Sequence, residues 1–204
     1  DYSPRLKERI EAYRAAFAPI FAIAAEHELQ VYLTTDIMFQ PPGFPRPLRR
    51  LDEILPFLRT VLGELMETYP GVAGIIMRIG ECDGVDVQGD FASRLTIRTS
   101  KHARQLLKGL LPLFEKRGRQ LVFRIWTVGA YPIGDLIWNK HTFDRAFRSL
   151  DSEALVLSLK YGDSDFFRYL PVNGLFFRSR HKKILELQAR REYEGFGRYP
   201  SFVG

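Results

Sequence analysis

Apolar and polar positions along the chain follow two rhythms. Ser3-Pro4 suits a helix N-cap followed by proline at the first helical position. Tyr13, Phe17, Ile20, Phe21 and Ala24 then recur at helical spacing, which predicts a first helix. Gln30 to Thr35 reads as a short apolar strand. A second helix is predicted from about Pro47 to Tyr69, with Leu51, Ile54, Leu55, Leu58, Leu62 and Leu65 on its buried stripe. Asp52 and Glu53 suit its early turns, and Pro70-Gly71 stops it.

Ala73 to Gly80 is a continuous apolar run interrupted by Arg78, as expected of a strand covered on both faces. Ser100 is placed to cap a helix carrying Ala103, Leu106, Leu107, Leu110, Leu111 and Phe114, closed by Gly118. Gln120 to Thr127 is the next strand. A short helix around Phe143 to Leu150 leads to a strand over Ala154 to Lys160, and Lys183 to Gln188 reads as one more. Strand and helix alternate with short connections and no repeat or low-complexity linker, which predicts a single α/β domain over 1–204 with a parallel sheet. The expected architecture is a (β/α)8 barrel of which the chain holds about five units, because a complete barrel typically needs ~250 residues. A smaller open sheet is the structural alternative.

Composition narrows the class without naming an activity. Of the 204 residues, 46% are hydrophobic and 26% charged, an ordinary globular mixture. No apolar run approaches the ~20 residues needed to cross a bilayer, and no secretory h-region opens the sequence, so a membrane partner is not expected. The formal net charge of +6 raises the question of nucleic acid. Most Lys and Arg stand beside Asp and Glu, and the densest basic stretch, Arg178 to Arg191, is broken by Ile184-Leu185-Glu186-Leu187. A solvated face is the better reading, and no nucleic-acid partner is expected. The single cysteine, Cys82, excludes an internal disulfide. His27, His102, His141 and His181 show no metal-ligand spacing, and Gly80, Gly84 and Gly89 match no nucleotide fingerprint, so no metal or cofactor is expected.

In a barrel of this type chemistry sits at the C-terminal ends of the strands. Polar residues stand at those places here: Asp36 after the first strand, Glu81 after the second, and Arg124 with Trp126 closing the third. Lys160 ends the fourth with Asp165 just beyond, and Glu186 and Gln188 lie two apart in the fifth. Charges inside apolar strands are costly to bury unless paired or used. One by one they have plain structural readings: Glu81 capping a backbone amide, Arg124 and Lys160 pairing with Glu186 and Asp165. Taken together, carboxylates that donate a proton and activate water, beside cations that hold an anionic sugar, are what glycoside hydrolysis requires.

Three segments resemble one family. Arg78-Ile79-Gly80-Glu81-Cys82-Asp83-Gly84, then Lys160-Tyr161-Gly162-Asp163-Ser164-Asp165-Phe166, then Leu185-Glu186-Leu187-Gln188 with Glu192-Tyr193-Glu194-Gly195 are similar to the barrel of the α-glucuronidases, glycoside hydrolase family 67. The resemblance spans about Ala73 to Gly195. It implies an inverting hydrolase acting on a uronic-acid-containing oligosaccharide or polysaccharide. Glu81 would be the general acid, and Asp165 and Glu186 would flank the attacking water. Arg124 and Lys160 match positions that hold the substrate's carboxylate, with Trp126 and Gln188 beside them. Arg78 stands in for a family lysine, one residue closer to Glu81. The resemblance also places Glu81 at the end of the fourth barrel strand and Glu186 on the seventh, which would leave strands one, two and eight outside this chain.

Three other readings compete. A retaining barrel glycosidase would use Glu81 and Glu186 as acid/base and nucleophile, but usually has Asn where Gly80 stands. A non-catalytic carbohydrate-binding module would use Trp126, Tyr131 and Trp138 as stacking platforms and needs no third carboxylate. Nucleic-acid binding would leave the carboxylates unexplained.

Overall fold

Each long apolar run of the sequence becomes a strand, and the strands line up in chain order. The structure, a computed structural model, describes residues 3–37, 39–40, 48–80, 92–93, 95–127, 131–164 and 170–187. Five strands form one sheet in the order β1 (Val31–Asp36), β3 (Val72–Arg78), β5 (Gln120–Arg124), β6 (Leu155–Lys160) and β7 (Lys182–Glu186), and every neighbouring pair is parallel. The two-residue strands β2 (Phe39–Gln40) and β4 (Ala92–Ser93) pair antiparallel in a separate sheet, a feature with no hydrophobic pattern to announce it.

The helices are α1 (Pro4–Glu26), α2 (Leu51–Thr68), α3 (Ser100–Glu115) and α4 (Lys140–Phe147), with 3-10 turns at Pro132–Ile137 and Gly174–Phe177. Their starts are set by side chains that satisfy the first free N–H groups. Ser3 Oγ accepts from the Leu6 N–H, and Asn139 Oδ1 accepts from the N–H groups of His141 and Thr142. The cap of α3 is Thr99, whose Oγ1 accepts from the His102 N–H at 3.2 Å, one residue before the expected Ser100. Glu53 Oε2 accepts from the N–H groups of Arg49 and Arg50 at 3.1 Å each, so α2 begins at Leu51 rather than at Pro47. α4 starts ahead of its first apolar residue because Asn139 caps it there.

Side chains alternate across a strand, so the register sorts the sheet into two faces. One face carries Ile75 and Met77, Leu121 and Phe123, and Leu155, Leu157 and Leu159. These merge with Leu58 and Leu62 of α2, Leu106, Leu110 and Phe114 of α3, and Phe143 and Phe147 of α4 in one buried core. Phe147 lies edge-on to Phe123 and Phe143, with ring centroids 5.8 and 4.8 Å away. Parallel crossovers are right-handed almost without exception. Strands in sequential order therefore put the crossover helices α2, α3 and α4 on the same side. This is the α/β arrangement of a partial (β/α) barrel, with five strands in its sheet.

The opposite face has no helix over it among the described residues, and its side chains form rungs. Tyr32, Gly74 and Gln120 are register neighbours at the N-terminal end. Thr34, Ile76, Val122 and Val156 make the next rung, and Asp36, Arg78, Arg124 and Ser158 the one above. Lys160 and Glu186 are partners at the C-terminal edge. The lowest rung is closed by the Tyr32 hydroxyl, 2.5 Å from Gln120 Oε1. Glycine at 74 makes room for that closure, because a Cβ there would sit 2.4 Å from the Gln120 carbonyl oxygen and 2.7 Å from the Tyr32 ring.

α1 is a different case. Its apolar residues Tyr13, Phe17 and Ile20 are 59%, 47% and 53% exposed, and only Ala24 is buried, although the spacing forms the expected helix. Its tie to the rest runs through Phe21, whose ring meets Tyr69 edge-on at 5.5 Å.

Candidate functional site

The polar rungs lie where the strands of a parallel sheet end, the usual place for chemistry in barrels and open sheets alike. Two guanidinium groups, Arg78 and Arg124, are register neighbours. Like charges so close repel, and a carboxylate stands outside each. Asp36 on β1 is 4.0 Å from Arg78, and Glu186 on β7 reaches across β6 to Arg124. Across β1, β3, β5 and β7 these four groups therefore run acid, base, base, acid, the two cations flanked by carboxylates.

Glu186 is the most tightly held of these groups. Arg124 Nε donates to Glu186 Oε1 at 2.9 Å and to Oε2 at 3.0 Å. Ser158 Oγ donates to the same Oε1 at 2.8 Å. The side chains of Arg124 and Glu186 are only 19% and 16% exposed, so the pair is shielded from the solvent that makes surface ion pairs weak. Hydrogen bonds to ionised groups are the short, strong kind, and here they fix the carboxylate on both oxygens.

Lys160 is 5% exposed, and its Nζ lies 3.3 Å from the centroid of the Trp126 ring. An ammonium over an indole face is the most favourable cation–π geometry, and it gains strength when desolvated. Trp126 thus carries a cation on one face. Of the other stacking candidates, Tyr131 carries Arg98 at 4.2 Å from its centroid, and Trp138 is 55% exposed.

The loop after β6 is anchored by two residues that pattern alone did not single out. The Tyr161 N–H donates to the Glu186 carbonyl at 3.0 Å, and the Asn173 N–H donates to the Tyr161 carbonyl at 2.7 Å. Asn173, buried at 2%, donates from Nδ2 to the carbonyls of Ile137 and Gly162 and accepts at Oδ1 from the Leu175 N–H. A buried, fully bonded asparagine of this kind holds the chain leading to Asp163 in place.

The expected site residues therefore divide. Arg78, Arg124, Trp126, Lys160 and Glu186 gather at the C-terminal ends of their strands, with Asp36 beside them. Glu81, Asp165 and Gln188 lie outside the described residues, as does Cys82. Arg124, expected to hold a substrate carboxylate, uses its Nε for Glu186. Ser158 was not anticipated, although the alternation that puts Lys160 on this face puts Ser158 there too.

Among the described residues no group of three or more His, Cys, Asp and Glu is arranged to hold a metal ion, and no helix is long and apolar enough to cross a membrane. His102 accepts at Nδ1 from the Arg98 N–H, and His181 donates from Nε2 to the Leu150 carbonyl, so each imidazole has a ring nitrogen engaged in local structure.

No protein-family model matches the chain, and no curated protein matches it either. Among solved structures it is similar to one described as a D-tagatose 3-epimerase-like protein. The TM-score is 0.42 at 8% identity, over 71% of this chain and 49% of that one. The chain thus spans about half the length of that protein.

Proposed function

We propose that this chain supplies the catalytic rim of an inverting glycoside hydrolase, α-glucuronidase-like, acting on a uronic-acid-containing glycan. The observation that carries the reading is the fixed carboxylate of Glu186. It accepts from Arg124 and Ser158 on a sheet face that no helix covers among the described residues. A carboxylate so occupied acts as an acceptor, which suits a group that orients or deprotonates water and not one that donates a proton. In this reading Glu186 and Asp165 flank the attacking water, and Glu81 protonates the leaving oxygen.

Inversion requires the acid and base carboxyls to stand ~6.5–9.5 Å apart, leaving space for water, whereas retention brings them to ~5–5.5 Å. Lys160 on Trp126, together with Arg78, supplies positive charge for the sugar's carboxylate, and Gln188 completes the set. Arg124 then serves mainly to position Glu186.

The test is to incubate the chain with a glucuronic-acid-substituted xylo-oligosaccharide and follow the products by proton NMR. Release of free glucuronic acid from an α-linkage, with the β-anomer appearing first, is expected. No released uronic acid, or equal cleavage of an unsubstituted xylo-oligosaccharide, would overturn the reading.

A further inference from the structure

α2 follows β1 and α3 follows β3, so the N-terminal turns of both helices stand at the same end of the sheet as the rim. Between them opens a cleft of about 710 Å³ whose lining includes Arg49, His102, Gln105 and Lys108 around Leu51 and Leu55. The helices close together below it because residue 109 is glycine: a Cβ there would fall 2.2 Å from a Leu55 methyl carbon.

Charge in the lining does not cancel. Arg50 and Asp52 neutralise each other through a two-pronged pair, Nε to Oδ1 at 3.0 Å and Nη2 to Oδ2 at 2.7 Å. Neither Arg49 nor Lys108 has a carboxylate partner among the described residues. His102 accepts at Nδ1 from a backbone N–H, so in the neutral ring Nε2 carries the proton and is a donor. Two cations, an imidazole N–H and an amide therefore surround an apolar floor. Sugars match that combination, with polar edges and an apolar C–H face, and carboxylates on them would meet the cations. Single-stranded nucleic acid is the poorer fit, since its sites use aromatic side chains to stack bases and this lining has none.

We propose that this cleft is an auxiliary subsite for an acidic glycan, gripping uronate units beyond the one handled at the rim. The ligand class rests on the hydrolase reading; the cleft itself does not. The measurement is isothermal titration of the whole chain with hexameric oligogalacturonate and with neutral xylohexaose, for the unmodified protein and for the double variant Arg49→Ala, Lys108→Ala. Both side chains are exposed, and unfolding curves check that the variant folds.

Binding of the acidic hexamer should weaken about tenfold in the variant, the combined effect of two exposed charge contacts. It should also weaken as salt is raised. Equal binding by the variant, equal binding of xylohexaose, or tighter binding of a hexameric oligodeoxynucleotide would overturn the subsite. Hydrolysis is read on the same preparation. Binding that depends on Arg49 and Lys108 without any sugar release upholds the cleft and contradicts the rim chemistry. Hydrolysis with binding indifferent to the two substitutions contradicts the cleft alone.

Discussion

Arg124 and Glu186, 62 residues apart in the chain and separated in the sheet by β6, meet through one nitrogen that donates to both carboxylate oxygens. The contact ties the end of β5 to the end of β7 over the Ser158 hydroxyl. Removing one partner of a shielded pair leaves an uncompensated charge, which costs ~3–5 kcal/mol when burial is complete. With each side chain slightly exposed, Arg124→Ala should cost about 2–3 kcal/mol. Urea unfolding of Arg124→Ala, Glu186→Ala and the double variant should give a coupling energy of at least ~1 kcal/mol. Additive losses would mean that the pair contributes nothing as a pair.

Ser158→Ala should leave the fold intact while loosening the Glu186 carboxylate, because one of its donors is gone. A stability loss of about 1–2 kcal/mol is expected. Urea unfolding of the variant beside the unmodified chain checks this. An unchanged unfolding midpoint would show that the hydroxyl contributes nothing through the carboxylate.

How much of this was readable beforehand differs by element. The sheet was, because buried strands leave long apolar runs: Leu155–Lys160 is buried at every position, and its run stands out as Leu-Val-Leu-Ser-Leu. Positions Arg78, Arg124, Lys160 and Glu186 were legible as charges interrupting such runs. Helix starts are less legible, since Thr99, Asn139 and Glu53 act through hydrogen bonds that periodicity does not encode. Ser158 escaped notice because a lone serine in an apolar run resembles an accommodated core residue. Only the register reveals it, as the neighbour of Arg124 and the residue two before Lys160. The pairing of β2 with β4 rests on backbone alone and has no sequence signal.

Gly74→Ala should destabilise the chain by about 1–3 kcal/mol, the usual cost of overpacking. The obstructing atom is the Gln120 carbonyl oxygen, which cannot rotate away. At this chain length that corresponds to a drop in Tm of ~2–4 °C per kcal/mol in a thermal melt. A variant that melts with the parent would contradict the close packing of Tyr32 and Gln120 over residue 74.

Asp144 and Arg178 give a pH signature far from the rim. Arg178 Nε donates to Asp144 Oδ1 at 2.7 Å with a second bond from Nη2 to Oδ2, and this hydrogen-bonded guanidinium holds the Asp144 carboxyl below its ordinary value. A carboxyl whose pKa is lower folded than unfolded stabilises the fold above the unfolded value, ~3.9. The contribution fades as pH falls from there through the lower folded value. Asp144→Asn should therefore be less stable than the parent at pH 7, and the gap should close below about pH 4. A gap independent of pH in urea unfolding would remove the ion pair as its cause.

In the proposed reaction Glu186, fixed by Arg124 and Ser158, acts on the water that cleaves a uronic-acid glycoside. The direct measurement is the turnover of a glucuronic-acid-substituted xylo-oligosaccharide by the whole chain and by Glu186→Gln, which keeps the side-chain shape and removes the charge. A loss of ~10²–10⁴ in rate is expected, the usual cost of losing a general base. Turnover by the variant at the parent's rate would contradict the account.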